Sequence, residues 1–312
     1  MKKKYNVLIV GFGYWGPILA RNFHSDVSFN IVAISDSNLQ NLKKAKNLYP
    51  HAAFYESFKL AINNKSIDLV VISTPTKTHY QIAKFALNKK KHVLCEKPLS
   101  LKMKEAIELI KISKKYKKFL FVDYPFIYSE SVGFIKKIFK NGDLGKPLIY
   151  ESTREKAPYR NDSNVIWDLG IHDFAILQYL LKDIPSKYLS NEIKTKKKFK
   201  SDFATINLRY KNGFSAFLKL NWSSPIKIRL IKIYFENGLL IYDENEGIYK
   251  ISVYKKNKGG YNLAMPRIAK NETLKLFVNY IYKIINKNDY KKFDFNFSLD
   301  ITKTILKITN NN

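Results

Sequence analysis

Short apolar runs alternate with longer segments in which apolar residues recur every three or four positions over roughly the first 124 residues. The runs are YNVLIV (5–10), IVAISD (31–36), AAFYE (52–56), DLVVIS (68–73), HVLCE (92–96) and FLFVDY (119–124). Each is short, apolar and mostly rich in β-branched or aromatic residues, which suits strands buried on both faces. Between them the 3.6-residue period predicts helices from Gly16 to about Phe23 and over 38–49, 58–63, 79–89 and 102–116. Strict strand–helix alternation demands a parallel sheet with right-handed crossovers. Ligands of such a doubly wound sheet lie beyond the carboxyl ends of its strands.

The pattern changes after about residue 125. Helices are predicted over 129–140 and 165–181, followed by alternating segments at 203–210, 213–222, 229–236 and 238–244. The pairs Asn212-Gly213 and Asn237-Gly238 mark hairpin turns. The expectation is an α/β chain with two domains. Residues 1–124 form the doubly wound domain. Residues 125–312 form an α+β domain whose mostly antiparallel sheet has one helix-covered face and one open face. The open face is the expected surface for a homodimer or homotetramer, and the tail TNNN is expected to fray.

The stretch GFGYWGP (11–17) joins the first strand to the first helix. Gly11 permits the tight turn, Gly13 lets a pyrophosphate approach the backbone, and Gly16 lets helix and strand pack closely. Pro17 is tolerated in the first helical turn, where its missing N–H would be unbonded. Tyr14 and Trp15 lie within the loop and are expected to border the cofactor. Such a loop also needs an acidic residue roughly 20 positions on, at the end of the second strand. Asp36 stands there. Its carboxylate accepts from ribose hydroxyls and repels a 2′-phosphate, so NAD is expected over NADP, with Lys43 and Lys44 nearby to soften the preference.

With 312 residues, 46% of them apolar, the chain is long enough for two cores. A formal charge of +29 suggests nucleic acid. Of the 55 basic residues, however, six are arginine, and the lysines are scattered apart from short clusters such as 196–198. Base and phosphate recognition favours the arginine fork, so the lysines read as solvated surface whose field draws in small anions. Lys2, Lys3 and Lys4 before an apolar run imitate a secretory signal, yet cleavage would remove the first strand and no small-residue cleavage site follows. No apolar run reaches the roughly 18 residues that span a membrane. The single Cys95 excludes an internal disulfide and a cysteine-rich zinc site. A cytoplasmic enzyme is expected.

Chemistry is expected at two more strand ends. STPTKTHY (73–80) follows the fourth strand and places Ser73, Thr74, Pro75 and His79 beside the nicotinamide half of the cofactor. CEKPLS (95–100) follows the fifth and supplies Glu96 and Lys97. With the glycine loop and WDLGIHDF (167–174), these motifs resemble, in order and over nearly the whole chain, the Gfo/Idh/MocA family of sugar-related oxidoreductases. The resemblance implies a Rossmann domain, a nicotinamide cofactor, a cis bond before Pro98, and catalytic roles for Lys97, Asp168 and His172. GYWGPILARNF and NVIWDLGIHD are similar to members that oxidise nucleotide sugars in polysaccharide or glycan synthesis. Ile18 stands where those members usually carry Asn, and Gly170-Ile171 where they carry Ala-Pro.

In a helix over 165–181, Asp168 and His172 stand four apart on one face while Ile166, Leu169, Ile176, Leu177 and Leu180 line another. Gly170 costs such a helix about 1 kcal/mol against alanine, a sign that something approaches its backbone. A lone histidine is ordinarily a hydrogen-bonded core residue; Lys97 and the family pattern assign His172 to chemistry instead. Two ligands and no cysteine cluster make no metal site. The secondary alcohol of a sugar needs a base, His172, worth roughly 10²- to 10⁴-fold. Lys97 steadies the developing negative charge and Asp168 positions one or both; Lys97 and His172 can exchange roles. Arg154, Lys156, Tyr159, Arg160 and Asn164, in the segment entering the active-site helix, are candidates to contact an anionic, UDP-linked N-acetylated hexose or its uronic acid, oxidised at C3. The alternatives are dehydrogenation of a free sugar or inositol, a redox-neutral glycosidase with tightly held NAD, and a non-catalytic binding protein.

Overall fold

The computed structural model describes residues 3–160, 162–195, 200–290 and 293–309. The lysines at 196–198 and the asparagines at 310–312 lie outside them. The chain divides into two compact units, Met1–Pro125 with Glu272–Thr302, and Phe126–Asn271 with Lys303–Asn312.

Among the described residues, the first unit carries a six-stranded parallel sheet in the order β3-β2-β1-β4-β5-β6. Its strands are β1 (Tyr5–Val10), β2 (Phe29–Ser35), β3 (Ala53–Tyr55), β4 (Leu69–Ile72), β5 (His92–Cys95) and β6 (Leu120–Val122). The order reverses between β1 and β4, and the expected ligand side lies at that switch point. Intervening helices are α1 (Gly16–His24), α2 (Leu39–Leu48), α3 (Phe58–Ile62), α4 (Thr76–Asn88) and α5 (Met103–Tyr116). Val7, Leu8, Ile9, Leu69, Val70, Val71 and Ile72 are wholly buried, as strands covered on both faces require.

A single boundary at 124/125 leaves out the chain's return to this unit. Helix α8 (Thr273–Lys287) packs on α1, with Tyr282 edge-on to Tyr5 and Phe29 and Glu272 paired to Arg21. Further on, Tyr290 stacks on Phe119 at 4.2 Å. The apolar stripe Leu274, Phe277, Val278, Ile281 and Ile285 is the buried face of α8.

The second unit carries an eight-stranded sheet in the order β14-β13-β12-β11-β7-β10-β9-β8. Its strands are β7 (Pro147–Glu155), β8 (Lys187–Ile193), β9 (Phe203–Arg209), β10 (Ser215–Asn221), β11 (Ile228–Phe235), β12 (Gly238–Asp243), β13 (Ile251–Asn257) and β14 (Gly260–Ala264). It is antiparallel apart from the β7–β10 pair. Helices α6 (Glu130–Asn141) and α7 (Ile171–Leu181) belong to this unit.

The expected hairpin at Asn212-Gly213 joins β9 to β10, with Gly213 at φ +88°. The second hairpin is shifted by one residue. Gly238 pairs with Phe235 as the first residue of β12, so the turn is Glu236-Asn237. A Cβ on Gly238 would lie 2.2 Å from the Tyr254 carbonyl, so this glycine serves close strand approach.

Candidate functional site

The first unit builds a cradle at the switch point. Gly11 has φ +92°, where a side chain is strained, and a Cβ there would lie 2.7 Å from the Ser73 carbonyl. A Cβ on Gly16 would lie 2.2 Å from the Gly11 carbonyl, so the loop folds tightly over the start of α1. A Cβ on Gly13 would meet nothing within 4 Å. The space above Gly13 is thus open beside the start of α1, where Pro17 has no N–H and the Ile18 and Leu19 amides donate to the Trp15 carbonyl at 3.0 and 3.1 Å, so an anion there meets the positive end of the helix dipole. These features fit a bound pyrophosphate.

Asp36, just past β2, turns its carboxylate back to this loop. Its Oδ2 accepts from the Phe12 amide at 2.6 Å and Asn41 Nδ2 at 3.1 Å, and its Oδ1 from the Asn38 amide at 2.8 Å. A carboxylate accepts about four hydrogen bonds, which leaves Oδ1 room for a ribose hydroxyl. Tyr14 is 85% exposed, whereas Trp15 donates its indole N–H to Asp123 Oδ2 at 2.9 Å. Trp15 thereby anchors the loop to the end of β6.

The ends of β4 and β5 meet in the same unit. The Ser73 hydroxyl donates to the Gly11 carbonyl at 2.7 Å, and the Thr74 hydroxyl accepts from Thr78 at 2.7 Å. Pro75 caps α4. His79 does not lie open for a nicotinamide. It is 1% exposed, with Nδ1 2.8 Å from the Pro98 carbonyl and Nε2 2.8 Å from the Thr74 carbonyl. Its ring braces the β4 loop against the loop that carries Lys97. Glu96 and Lys97 are half-buried, the Lys97 amide donates to Glu96 Oε2 at 3.1 Å, and the Lys97–Pro98 peptide is cis.

In the second unit the segment bearing Asp168 and His172 departs from the expected α-helix. Ile166–Gly170 forms a π turn and α7 begins at Ile171, so the α-helical face drawn through both residues does not hold. π turns of this kind frequently mark functional sites. What approaches Gly170 is a side chain: a Cβ there would lie 2.9 Å from Leu220 Cδ1 of β10.

Asp168 is buried, and its Oδ2 accepts the Trp222 indole N–H at 3.0 Å. Arg160 pairs with Asp162 through two nitrogens at 3.1 Å each and reaches Asp168 Oδ1 at 3.7 Å. His172 is half-buried, with the Phe126 ring edge-on at 4.8 Å between centroids.

Behind His172, Asp173 is fully buried in a polar network. Its Oδ1 accepts from Tyr150 and Ser152 hydroxyls at 2.8 Å each, and its Oδ2 from Arg154 Nε at 2.8 Å. The Arg154 guanidinium lies over the Phe126 ring at 5.4 Å, with Glu244 3.5 Å from Nη1. Burial and the adjacent anion push the Tyr150 phenol well above its ordinary value, while Asp173 and Glu244 keep Arg154 charged.

The five residues expected to meet a sugar therefore separate. Arg154 is 2% exposed and engaged by Asp173, which removes it from ligand contact. Asn164 is a helix cap: Oδ1 accepts from the Trp167 amide at 3.0 Å and Nδ2 reaches Glu192 at 3.3 Å. Lys156 has φ +62° and its ammonium donates to the Pro225 carbonyl. Tyr159 stacks edge-on to Trp222 at 5.7 Å and shares a hydrogen bond with Ser223. Tyr159 and Arg160 thus lie around Asp168. Trp222 and Phe126 escaped the sequence reading; only their neighbours in space connect them to the motifs.

Among the described residues no group of three or more His, Cys, Asp or Glu is arranged to hold a metal ion, and no helix is long and apolar enough to cross a membrane.

Comparison with known proteins identifies two matching family models. That described as the oxidoreductase family, NAD-binding Rossmann fold, of GFO/IDH/MocA matches residues 5–124, and the GFO/IDH/MocA C-terminal domain matches 133–241. Myo-inositol 2-dehydrogenase of Thermotoga maritima is 27% identical over 216 residues, 66% of this chain and 65% of that protein, so the match spans under two thirds of the relative's length. UDP-N-acetylglucosamine 3-dehydrogenase from Acidithiobacillus ferrooxidans is similar at TM-score 0.86 and 20% identity, over 97% of this chain and 96% of that one. An oxidoreductase from Agrobacterium radiobacter in complex with NAD+, L-tartaric acid and magnesium is similar at TM-score 0.85 and 15% identity, over 99% and 96%. At these identities the structural likeness concerns the fold.

Proposed function

We propose, from the premise that the chain belongs to the GFO/IDH/MocA oxidoreductase family, that it is a cytoplasmic NAD-dependent dehydrogenase oxidising a ring hydroxyl, at C3, of a nucleotide-linked or related sugar. The observation that carries the redox part is the cradle: open space over Gly13, closed contacts at Gly11 and Gly16, and Asp36 turned to the loop. NAD, when bound, supplies the acceptor for the hydride that leaves the carbinol carbon.

The chain's own residues handle the proton and the charge. His172 takes the hydroxyl proton, with its ring angle fixed by Phe126. Lys97 donates to the alcohol oxygen and steadies its developing negative charge. Asp168, held by the Trp222 indole at 3.0 Å and 3.7 Å from Arg160, positions these groups. The nucleotide-sugar reading rests on the GYWGPILARNF and NVIWDLGIHD stretches and on the fold shared with a UDP-N-acetylglucosamine 3-dehydrogenase. A second reading, oxidation of inositol or a free sugar, is favoured by the myo-inositol 2-dehydrogenase relative. Self-association is proposed through the open face of the eight-stranded sheet, where Leu189 is 70% and Phe217 42% exposed.

The test is a panel of UDP-sugars, uronates, free hexoses and inositols followed by NADH absorbance. Nucleotide-linked sugars should be turned over best, and far better turnover of inositol would establish the second reading. Substrate turnover without net NADH would mark a redox-neutral glycosidase. Lys97→Met and His172→Asn should each abolish most turnover while NAD affinity stays near wild type. Wild-type rates in either variant would refute the assignment.

A further inference from the structure

Arg229 of β11 stands directly opposite Arg154 of β7, so both side chains leave the sheet on its helix-covered face. Like charges placed opposite each other destabilise a strand pair unless each is compensated. Arg154 has its anions, Asp173 and Glu244. Arg229 has carbonyls instead. Its Nη1 donates to the carbonyls of Glu155 and Ile228, and its Nη2 to that of Lys156 at 2.9 Å. Among the described residues no carboxylate forms an ion pair with it.

Three carbonyls fix the plane of a guanidinium without neutralising it. A guanidinium has five N–H donors, so these three bonds leave donors for a ligand, Nε–H among them. Burial and the facing Arg154 charge lower the Arg229 pKa from the ordinary arginine value against the opposing pull of Glu244, Asp173 and Asp168, so the surroundings on balance still disfavour its charge and an anion in direct contact would stabilise it.

The group also lies beside the proposed chemistry. The sheet row holding Arg229 and Arg154 continues to Leu220 of β10, whose Cδ1 abuts Gly170 between Asp168 and His172. Strands are about 4.8 Å apart, so Arg229 stands roughly 10 Å along the row from Leu220. That is within the span of one sugar and its first phosphate. The carbonyls it holds, those of Glu155 and Lys156, begin the segment that leads to Tyr159 and Arg160.

We propose that Arg229 is the anion-recognising residue of the substrate site, binding a phosphate or carboxylate oxygen of an anionic sugar. Arg229 is preorganised for this by the main chain, where Arg154 is consumed by the core. The inference rests on the dehydrogenase reading for the location of the site, and its test needs no turnover.

Calorimetric titration of the full-length protein with UDP, with glucuronate and with glucose separates the sources of the anion. The wild type should bind UDP or glucuronate and bind glucose weakly or not at all. Arg229→Gln should weaken the bound anion roughly 10- to 100-fold and leave glucose unchanged, with Arg229→Lys between. A loss confined to UDP assigns a phosphate, and one confined to glucuronate a carboxylate. In a second measurement on the wild type, phenylglyoxal modification of Arg229, mapped by mass spectrometry, should be suppressed by the anion that binds. Wild-type anion affinity in a folded Arg229→Gln protein overturns the proposal. So does an absence of anion binding by the wild type, or labelling of Arg229 that the anion leaves unchanged. Anion binding through Arg229 with no sugar reducing NAD would instead retire the dehydrogenase reading and leave the anion site standing.

Discussion

Asp173→Ala should cost about 3 to 5 kcal/mol of stability, because it strands a buried cation. The carboxylate is fully buried and accepts three hydrogen bonds, two from hydroxyls and one from Arg154, each at 2.8 Å. The Tyr150 and Ser152 hydroxyls lose an acceptor, at roughly 1 kcal/mol or more each if they find no other. The larger loss is at Arg154, whose side chain is 3% exposed and would keep Glu244 at 3.5 Å and the Phe126 ring at 5.4 Å. Those partners compensate in part, which keeps the estimate in the range for breaking a buried pair. Against a typical total of about 5 to 15 kcal/mol the loss is severe. At about 2 to 4 °C per kcal/mol it lowers the melting temperature by roughly 6 to 20 °C. Trp167 and Trp222 lie in the second unit, so tryptophan fluorescence follows its unfolding in urea or heat. Asp173→Leu combined with Arg154→Met should recover most of the loss, since an apolar pair leaves no unpaired charge. A single variant losing under about 1 kcal/mol, or a double variant as unstable as the two single losses added, would refute the reasoning.

Three further outcomes are expected. Gly13→Ala should fold with wild-type stability, because its Cβ meets nothing within 4 Å, yet bind NAD more weakly in a fluorescence titration. Gly16→Ala, with its Cβ 2.2 Å from the Gly11 carbonyl, should lose about 1 to 3 kcal/mol in a thermal melt; equal behaviour of the two variants would contradict the cradle. Asp36→Ala should narrow the difference between NAD and NADP affinities measured side by side, and a clear NADP preference in the wild type would overturn the role given to Asp36. His92 is buried and accepts the Phe119 amide on Nδ1, and burial lowers its pKa to about 3. Below the unfolded value of about 6.5 the unfolded chain takes up a proton that the folded one refuses, so stability falls as pH drops from there toward 3, by about 2 kcal/mol at pH 5. Urea midpoints at pH 7 and 5 should show this loss, and His92→Leu should lessen it; an equal loss in the variant would exclude His92 as its source.

Local chemistry made much of the first unit legible. Each strand run and each stretch of 3.6-residue period is local, and the spacing of Gly11, Gly13 and Gly16 and of Asp36 past the second strand is set within one strand–helix–strand unit. Short-range sterics at these positions leave little choice, and the structure repeats them. The second unit was less legible because its decisive contacts join distant residues. Strand β7 escaped the sequence pattern because its inward positions include Ser152 and Arg154, polar residues that are tolerable in a core only because Asp173 arrives there on α7. The same contact turned Arg154 from an apparent ligand residue into a structural one. Trp222 became a partner of Asp168 across 54 positions. Leu220, seated against Gly170, accompanies a π turn where periodicity alone gave a regular helix. The helix at Thr273–Lys287 carries a plain apolar stripe, but a stripe says only that a face is buried. Which unit buries it was decided by the aromatic surface of Tyr5, Phe29 and α1, because apolar burial has no sequence address and is settled by whichever complementary face the folded chain brings near.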